Sequence, residues 1–265
     1  MAIITSKDSR LRAIGHVVKT SLRRGKDSRK SQKLAPARGL TIVHNPPDGV
    51  RAAADIVAIH GLDGSFDSWT VGQRENWLTE RLPIRFSPTR IITFSYDANV
   101  LDGYELTRRV VDGSAYRLAE DLSVLREETD SRRRPIIFIA HSMGGLIVKR
   151  ALVSCHESTD PGFRDIGQST AAVHFFGTPS SELPSHLFHE ALRNTAMVQR
   201  SAGKQDRQFN SNAIPRPPSV AQSKWLELQL QPFKPLIACM EAYTYYESKE
   251  TPGIGLVNVH SLPRA

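Results

Sequence analysis

One stretch of this 265-residue chain restricts its possible folds more than any other: "PIIFIAHSMGGLIVKRALV", residues 135–153. A short apolar run ends in a small turn around Ser142, and an apolar-periodic segment follows. A run that is brief, β-branched and without polar alternation reads as a strand buried on both faces. Two roles fit a serine at the junction of such a strand and a helix. It is the N-cap of the helix, or it is a nucleophile lifted above the end of the sheet on a sharp turn. The sharp turn needs small residues two before and two after the serine. Ala140 and Gly144 stand there, alanine in place of the usual glycine, and Gly145 adds room.

The same rhythm recurs along the chain. "ADIVAIHG" (54–61), "RIITFSYD" (90–97), "AAVHFFGTP" (171–179), "ACMEAYTYYE" (238–247) and, more weakly, "GLVNVH" (255–260) read as strands. "YELTRRVVDGSAYRLAEDLSVLREE" (104–128) reads as a long amphipathic helix interrupted at Gly113, and "SMGGLIVKRALVSC" as the helix after Ser142. Strands without clean alternation, separated by helices, predict a mostly parallel sheet with helices on both faces, an α/β architecture. Residues 180–223, rich in Ser, Asn, Gln and Pro, break the rhythm and read as an irregular excursion over the sheet.

Charge divides the chain in two. Residues 1–39 hold eleven Lys or Arg against two Asp, a net of +9, so the rest of the chain stands at −1 of the overall +8. The body, 40–265, is therefore nearly neutral and has no basic stripe with interleaved aromatics, so no nucleic-acid partner is expected. In the tail, Leu11, Ile14, Val18 and Leu22 recur at helical spacing. A basic, acid-poor amphipathic segment fits an organelle-import sequence, a membrane-surface helix or a disordered solvated arm. No apolar run reaches the length of a membrane span. Cys155 and Cys239 show no pairing or metal spacing and read as small core residues in a reducing, intracellular setting. No metal, phosphate-loop or dinucleotide pattern is present, so no cofactor is expected.

A serine hydroxyl is a weak nucleophile at neutral pH and needs both a base and donors for the developing oxyanion. Beyond the first predicted strand lies "IHGLDGS" (59–65), which is either an ordinary glycine-rich turn or a second donor loop. In the second case the backbone amides of Leu62 and Met143 converge on the oxyanion. Glu247, closing "AYTYYE", is the first candidate for the acid that orients the base, against the alternative of a plain surface carboxylate; Asp165 and Glu182 come too early in the order. After Glu247 the one histidine is His260, the candidate base. His186 and His189 fall in the excursion, His141 should point away from the serine, His60 suits a hydrogen-bonding role in its loop, and His174 a core position.

"DIVAIHGLDGSFDSWT", "RIITFSYDANV", "RPIIFIAHSMGGLIVKRALV" and "HFFGTP" together resemble the serine esterases of the SERAC-like group, of the kind found in fungi and related to lipase-like α/β hydrolases that include GPI inositol-deacylases. The resemblance covers residues 53–180 and resumes weakly after "FKPLIACMEAY"; "FFGTP" continues into "SSELP" where the family has a His-Arg-Gly turn. It implies an α/β-hydrolase fold with Ser142 as nucleophile, Leu62 and Met143 as amide donors, and the Tyr-Glu ending at Glu247 as the acid. It further implies ester or lipid substrates and association with mitochondrial or endoplasmic-reticulum membranes. In the family a further strand and the catalytic histidine follow the "VNVHS" region, which implies a chain truncated at its C-terminus and lacking the last strand. Two functions then stand side by side: a serine hydrolase working through an acyl-enzyme, and a hydrolase-fold interaction or truncated protein impaired for want of its triad histidine.

Overall fold

The unalternating apolar runs form one sheet. The computed structural model describes residues 38–61, 66–71, 75–97, 104–178, 228 and 231–245. In chain order these contain β1 (Gly39–His44), β2 (Ala54–Ile59), a 3₁₀ turn (Phe66–Trp69), the two-residue strands β3 (Thr70–Val71) and β4 (Glu75–Asn76), and the short helices α1 (Trp77–Glu80) and α2 (Leu82–Arg85). Then come β5 (Thr89–Ser95), α3 (Tyr104–Glu128), β6 (Ile136–His141), α4 (Met143–Glu157), α5 (Pro161–Ser169) and β7 (Thr170–Phe176). Two 3₁₀ turns (Gln231–Phe233 and Pro235–Cys239) lead into β8 (Glu241–Tyr245). The main sheet runs β1-β5-β2-β6-β7-β8. β1 is antiparallel to β5, and every other pair is parallel.

Successive strand residues face opposite sides, so a strand buried on both faces needs apolar side chains at nearly every position. Val57, Ile59, Phe138, Ala140, Val173 and Phe175 pack with α3, α4 and α5. Ile56, Ala58, Ile137, Ile139, Ala172 and Phe176 face the other way, toward Trp69, Trp77, Leu78 and Leu82. There Trp69 and Trp77 meet edge to face at 5.5 Å.

Several local features differ from the sequence reading. α3 is unbroken at Gly113, where a Cβ would meet nothing within 4 Å. A mid-helix glycine costs about 1 kcal/mol relative to alanine, and the buried stripe Val111, Ala115, Leu118, Ala119 and Leu122 outweighs that. β1 was not expected, because a half-exposed edge strand lacks a continuous apolar run. α5 was missed although it carries its start signal: the Asp160 carboxylate accepts from the Phe163 amide at 3.0 Å, and Pro161 follows the cap. Cys155 is buried as expected, but Cys239 is exposed on its 3₁₀ turn.

At the amino ends of the strands a single carboxylate gathers three arginines. Asp55, fully buried, accepts from Arg90 Nε at 2.9 Å and Nη2 at 2.8 Å, from Arg126 Nη1 at 2.7 Å and from Arg134 Nη1 at 3.0 Å. Arg126 also donates to the carbonyls of Arg132 and Arg134, and Arg90 to the hydroxyls of Thr129 and Ser131. The cluster joins β2, β5, α3 and the entry to β6. Removing the one anion leaves buried guanidinium charge uncompensated, a loss of about 3–5 kcal/mol. Asp55→Asn should therefore lower unfolding free energy by about that amount in a urea titration; a change under about 1 kcal/mol would mean that solvent already compensates the arginines.

Candidate active site

β2 and β6 are neighbours, yet the chain leaves β2 for β5 on one side and leaves β6 for β7 on the other. Such a reversal opens a crevice at the carboxyl ends of the two strands, where α/β sheets bind ligands. Both turns singled out in the sequence, His60–Gly61 and Ser142, lie there.

Ser142 is half-buried, with φ 51° and ψ −120°. An N-cap residue sits in the extended region with its side chain bonded to the helix. Ser142 does neither, since its hydroxyl makes no capping bond to α4. Positive φ is costly for a residue with a Cβ, and the turn is pinned from both sides. The Ser142 amide donates to the Phe176 carbonyl at 2.8 Å, and its carbonyl accepts from the Gly145 amide at 3.0 Å. A Cβ at Gly144 would collide with the carbonyl oxygens of Ile59 and His60, and one at Gly145 with Thr178. A Cβ at Gly61 would come within 2.6 Å of His141 Nδ1 and 2.9 Å of Ser142 Cβ. The residue after the serine, Met143, is buried at the N-terminus of the 15-residue α4. There the first amides have no partner within the helix and the dipole favours negative charge.

His60 is 2% exposed and anchors the facing turn. Its Nδ1 lies 2.9 Å from the Gly61 carbonyl and its Nε2 accepts from the Tyr96 amide at 3.4 Å. The Tyr96 hydroxyl donates to the His60 carbonyl at 2.9 Å, and the two rings stack at 4.4 Å. His141, half-buried, has its pKa lowered to about 4 by burial and by its neighbour His60, so it is neutral at pH 7. His174 stacks on Tyr243 at 4.7 Å, and its Nδ1 lies 3.1 Å from the Tyr245 hydroxyl. Burial depresses its pKa to about 3, consistent with the core position expected for it. On α4, Lys149 lies 4.8 Å above the Phe175 ring, and burial pushes its pKa down to about 7. Asp165, considered as an acid, pairs with Arg132 at 3.6 Å on α5.

Leu62, Glu247 and His260 lie outside the described residues, as do Glu182, His186, His189, the basic tail up to residue 37 and the 180–223 excursion. The geometry therefore brings together Ser142, Met143, His60, Gly61 and His141. The sequence reading missed Tyr96 and Thr178. Tyr96 is the aromatic just past β5, beside the "HG" turn; Thr178 follows β7 beside Gly145. Only the strand order makes either one a neighbour of the site.

Residues 55–180 match the family described as "Putative serine esterase (DUF676)". Protein SERAC1 of Bos taurus is 30% identical over 143 residues, covering 48% of this chain and 21% of that protein. Human SERAC1 is 29% identical over 147 residues with the same coverage. The chain thus spans about a fifth of the length of these relatives. Among solved structures, the lipase BlEst2 of Bacillus licheniformis in its mature form is 18% identical, with a TM-score of 0.49 over 80% of this chain and 73% of that one.

Two histidines with lowered pKa, His141 and His174, predict an acid-side weakness. In the unfolded chain a histidine takes up its proton near pH 6.5, whereas His141 and His174 in the fold wait until about 4 and about 3. The unfolded state therefore binds more protons as pH falls below 6.5, and stability drops by roughly 1.4 kcal/mol per pH unit per histidine. His174→Phe keeps a ring in the stack and removes one such proton. Urea titrations between pH 6.5 and 4.5 should give a shallower pH slope by about that amount for the variant, and equal slopes would show that His174 is not held neutral.

Proposed function

We propose, from the match of residues 55–180 to the DUF676 serine-esterase family and from the α/β sheet that carries Ser142 at its switch point, that this protein is a carboxylic-ester hydrolase working through an acyl-enzyme on Ser142. The observation that carries the reading is the Ser142 backbone. A serine held at φ 51° with an uncapped hydroxyl, at the switch point of the sheet, has no role as a helix cap.

In this reading the Ser142 Oγ attacks the ester carbonyl while its proton passes to the base, for which His260 is the candidate, oriented by Glu247. The tetrahedral oxyanion accepts from the amides of Met143 and Leu62, with the N-terminal end of α4 adding its dipole. Collapse expels the alcohol, which takes up the proton, and leaves the acyl group on Ser142. Water, deprotonated by the same base, then releases the acid and restores the serine. The match to a serine-esterase family supports an ester or lipid as the substrate class. We take the basic segment ahead of β1 to draw the domain to an anionic membrane surface, mitochondrial or endoplasmic-reticular, where lipid esters reside. No helix among the described residues is long and apolar enough to cross a membrane.

A second reading, an impaired hydrolase-fold protein acting through a partner, draws on the described histidines: His174 is buried against Tyr243, His60 is committed to its loop, and half-buried His141 has its basicity lowered. Hydrolysis of p-nitrophenyl butyrate by the whole chain separates the two. Ser142→Ala and His260→Gln should each lower kcat by at least about 10³-fold, because the residual catalysis of such systems comes from the oxyanion donors and binding alone. A His260→Gln variant as active as the parent rules that residue out as base, and turnover indifferent to Ser142→Ala ends the esterase reading.

A further inference from the structure

We propose that Tyr96 is a positioning residue that holds the His60–Gly61 turn, and the Gly61 carbonyl within it, in a fixed direction beside Ser142. The proposal rests on the ester-hydrolase reading of Ser142 and deepens it.

The argument begins with the weakness of the turn. Gly61 has no side chain of its own to brace it, and none is admissible, because a Cβ there would run into His141 and Ser142. Glycine also has the widest choice of backbone conformations. A donor amide on such a turn gains catalytic value only if something else stops it from rotating.

Tyr96 is placed to do that. β2 and β5 are paired in parallel with Ile59 opposite Phe94, so Tyr96 arrives beside the His60–Gly61 turn. It then holds His60 in three ways. Its ring lies flat on the imidazole at 4.4 Å and 4° between planes, its hydroxyl donates to the His60 carbonyl at 2.9 Å, and its amide donates to His60 Nε2 at 3.4 Å. With Nε2 accepting, the proton of the neutral ring is on Nδ1, and Nδ1 donates to the Gly61 carbonyl 2.9 Å away.

Two successive peptide planes are thereby fixed. The His60 carbonyl is aimed at the Tyr96 hydroxyl and lies so near Gly144 that a Cβ there would collide with it. The Gly61 carbonyl is aimed at the His60 ring, which Tyr96 keeps in place. On the ester-hydrolase reading, a turn held in this way keeps the donor it carries in a constant direction. Burial raises the pKa of the Tyr96 hydroxyl far above its ordinary value, which keeps it protonated and a donor throughout the working pH range.

Tyr96→Phe removes the hydroxyl and leaves the ring stack. In the whole chain, with p-nitrophenyl butyrate, kcat should fall about tenfold while KM stays within about twofold, a fraction of the 10²–10³ lost when an oxyanion donor is deleted outright. Tyr96→Leu, which loses the stack as well, should fall further. Hydrogen–deuterium exchange should quicken in peptides spanning residues 56–64 in Tyr96→Phe and stay unchanged in peptides from α4 and β6. An unchanged kcat overturns the proposal, and so does exchange that is unaltered in 56–64 or faster throughout the sheet. A parent protein without Ser142-dependent turnover would sink the esterase reading instead, and the exchange difference would still decide whether Tyr96 holds the turn.

Discussion

The approach of Gly144 to the end of β2 is the constraint on which the site depends. The carbonyl oxygens of Ile59 and His60 occupy the space that a side chain at 144 would need. The first turn of α4 and the last residues of β2 are thus one packed unit, and the serine between β6 and α4 is forced through a tight angle. A positive-φ serine costs roughly 1–3 kcal/mol. The helix it begins buries Leu146, Ile147, Val148, Leu152 and Val153, and each such side chain contributes about 1.5–3 kcal/mol. Packing wins comfortably, so the strain persists in the folded state.

The same strands are tied at their other end by Asp55. Its carboxylate bridges the start of β2 to Arg90 of β5, to Arg126 of α3 and to Arg134 ahead of β6. The central strands are therefore clamped by charge at their amino ends and by close backbone contact at their carboxyl ends. A rigid frame of this kind lets short turns hold chemical groups in fixed directions.

Much of this was legible in the sequence because it follows from periodicity and size. Runs such as "ADIVAI" and "IIFIA" could be buried strands and little else, and the small residues at 140, 144 and 145 announced a tight turn. What remained hidden depends on partners distant in sequence. Nothing near Asp55 says that arginines 35, 71 and 79 positions away will surround it. Tyr96 reads as one more apolar residue at a strand end until β5 is placed beside β2. α3 was misread at Gly113 because local propensity carries no knowledge of the core that overrides it. β1 escaped notice because an edge strand half open to solvent lacks the continuous apolar signal of its buried neighbours.

The account's central claim is that the turn makes the Ser142 hydroxyl a working nucleophile. The most direct measurement treats the folded chain with a fluorophosphonate and locates the adduct by peptide mass spectrometry. The account predicts one phosphonyl group per chain, on Ser142. A folded protein that takes up no label, or one labelled at another residue with Ser142 unmodified, would contradict it.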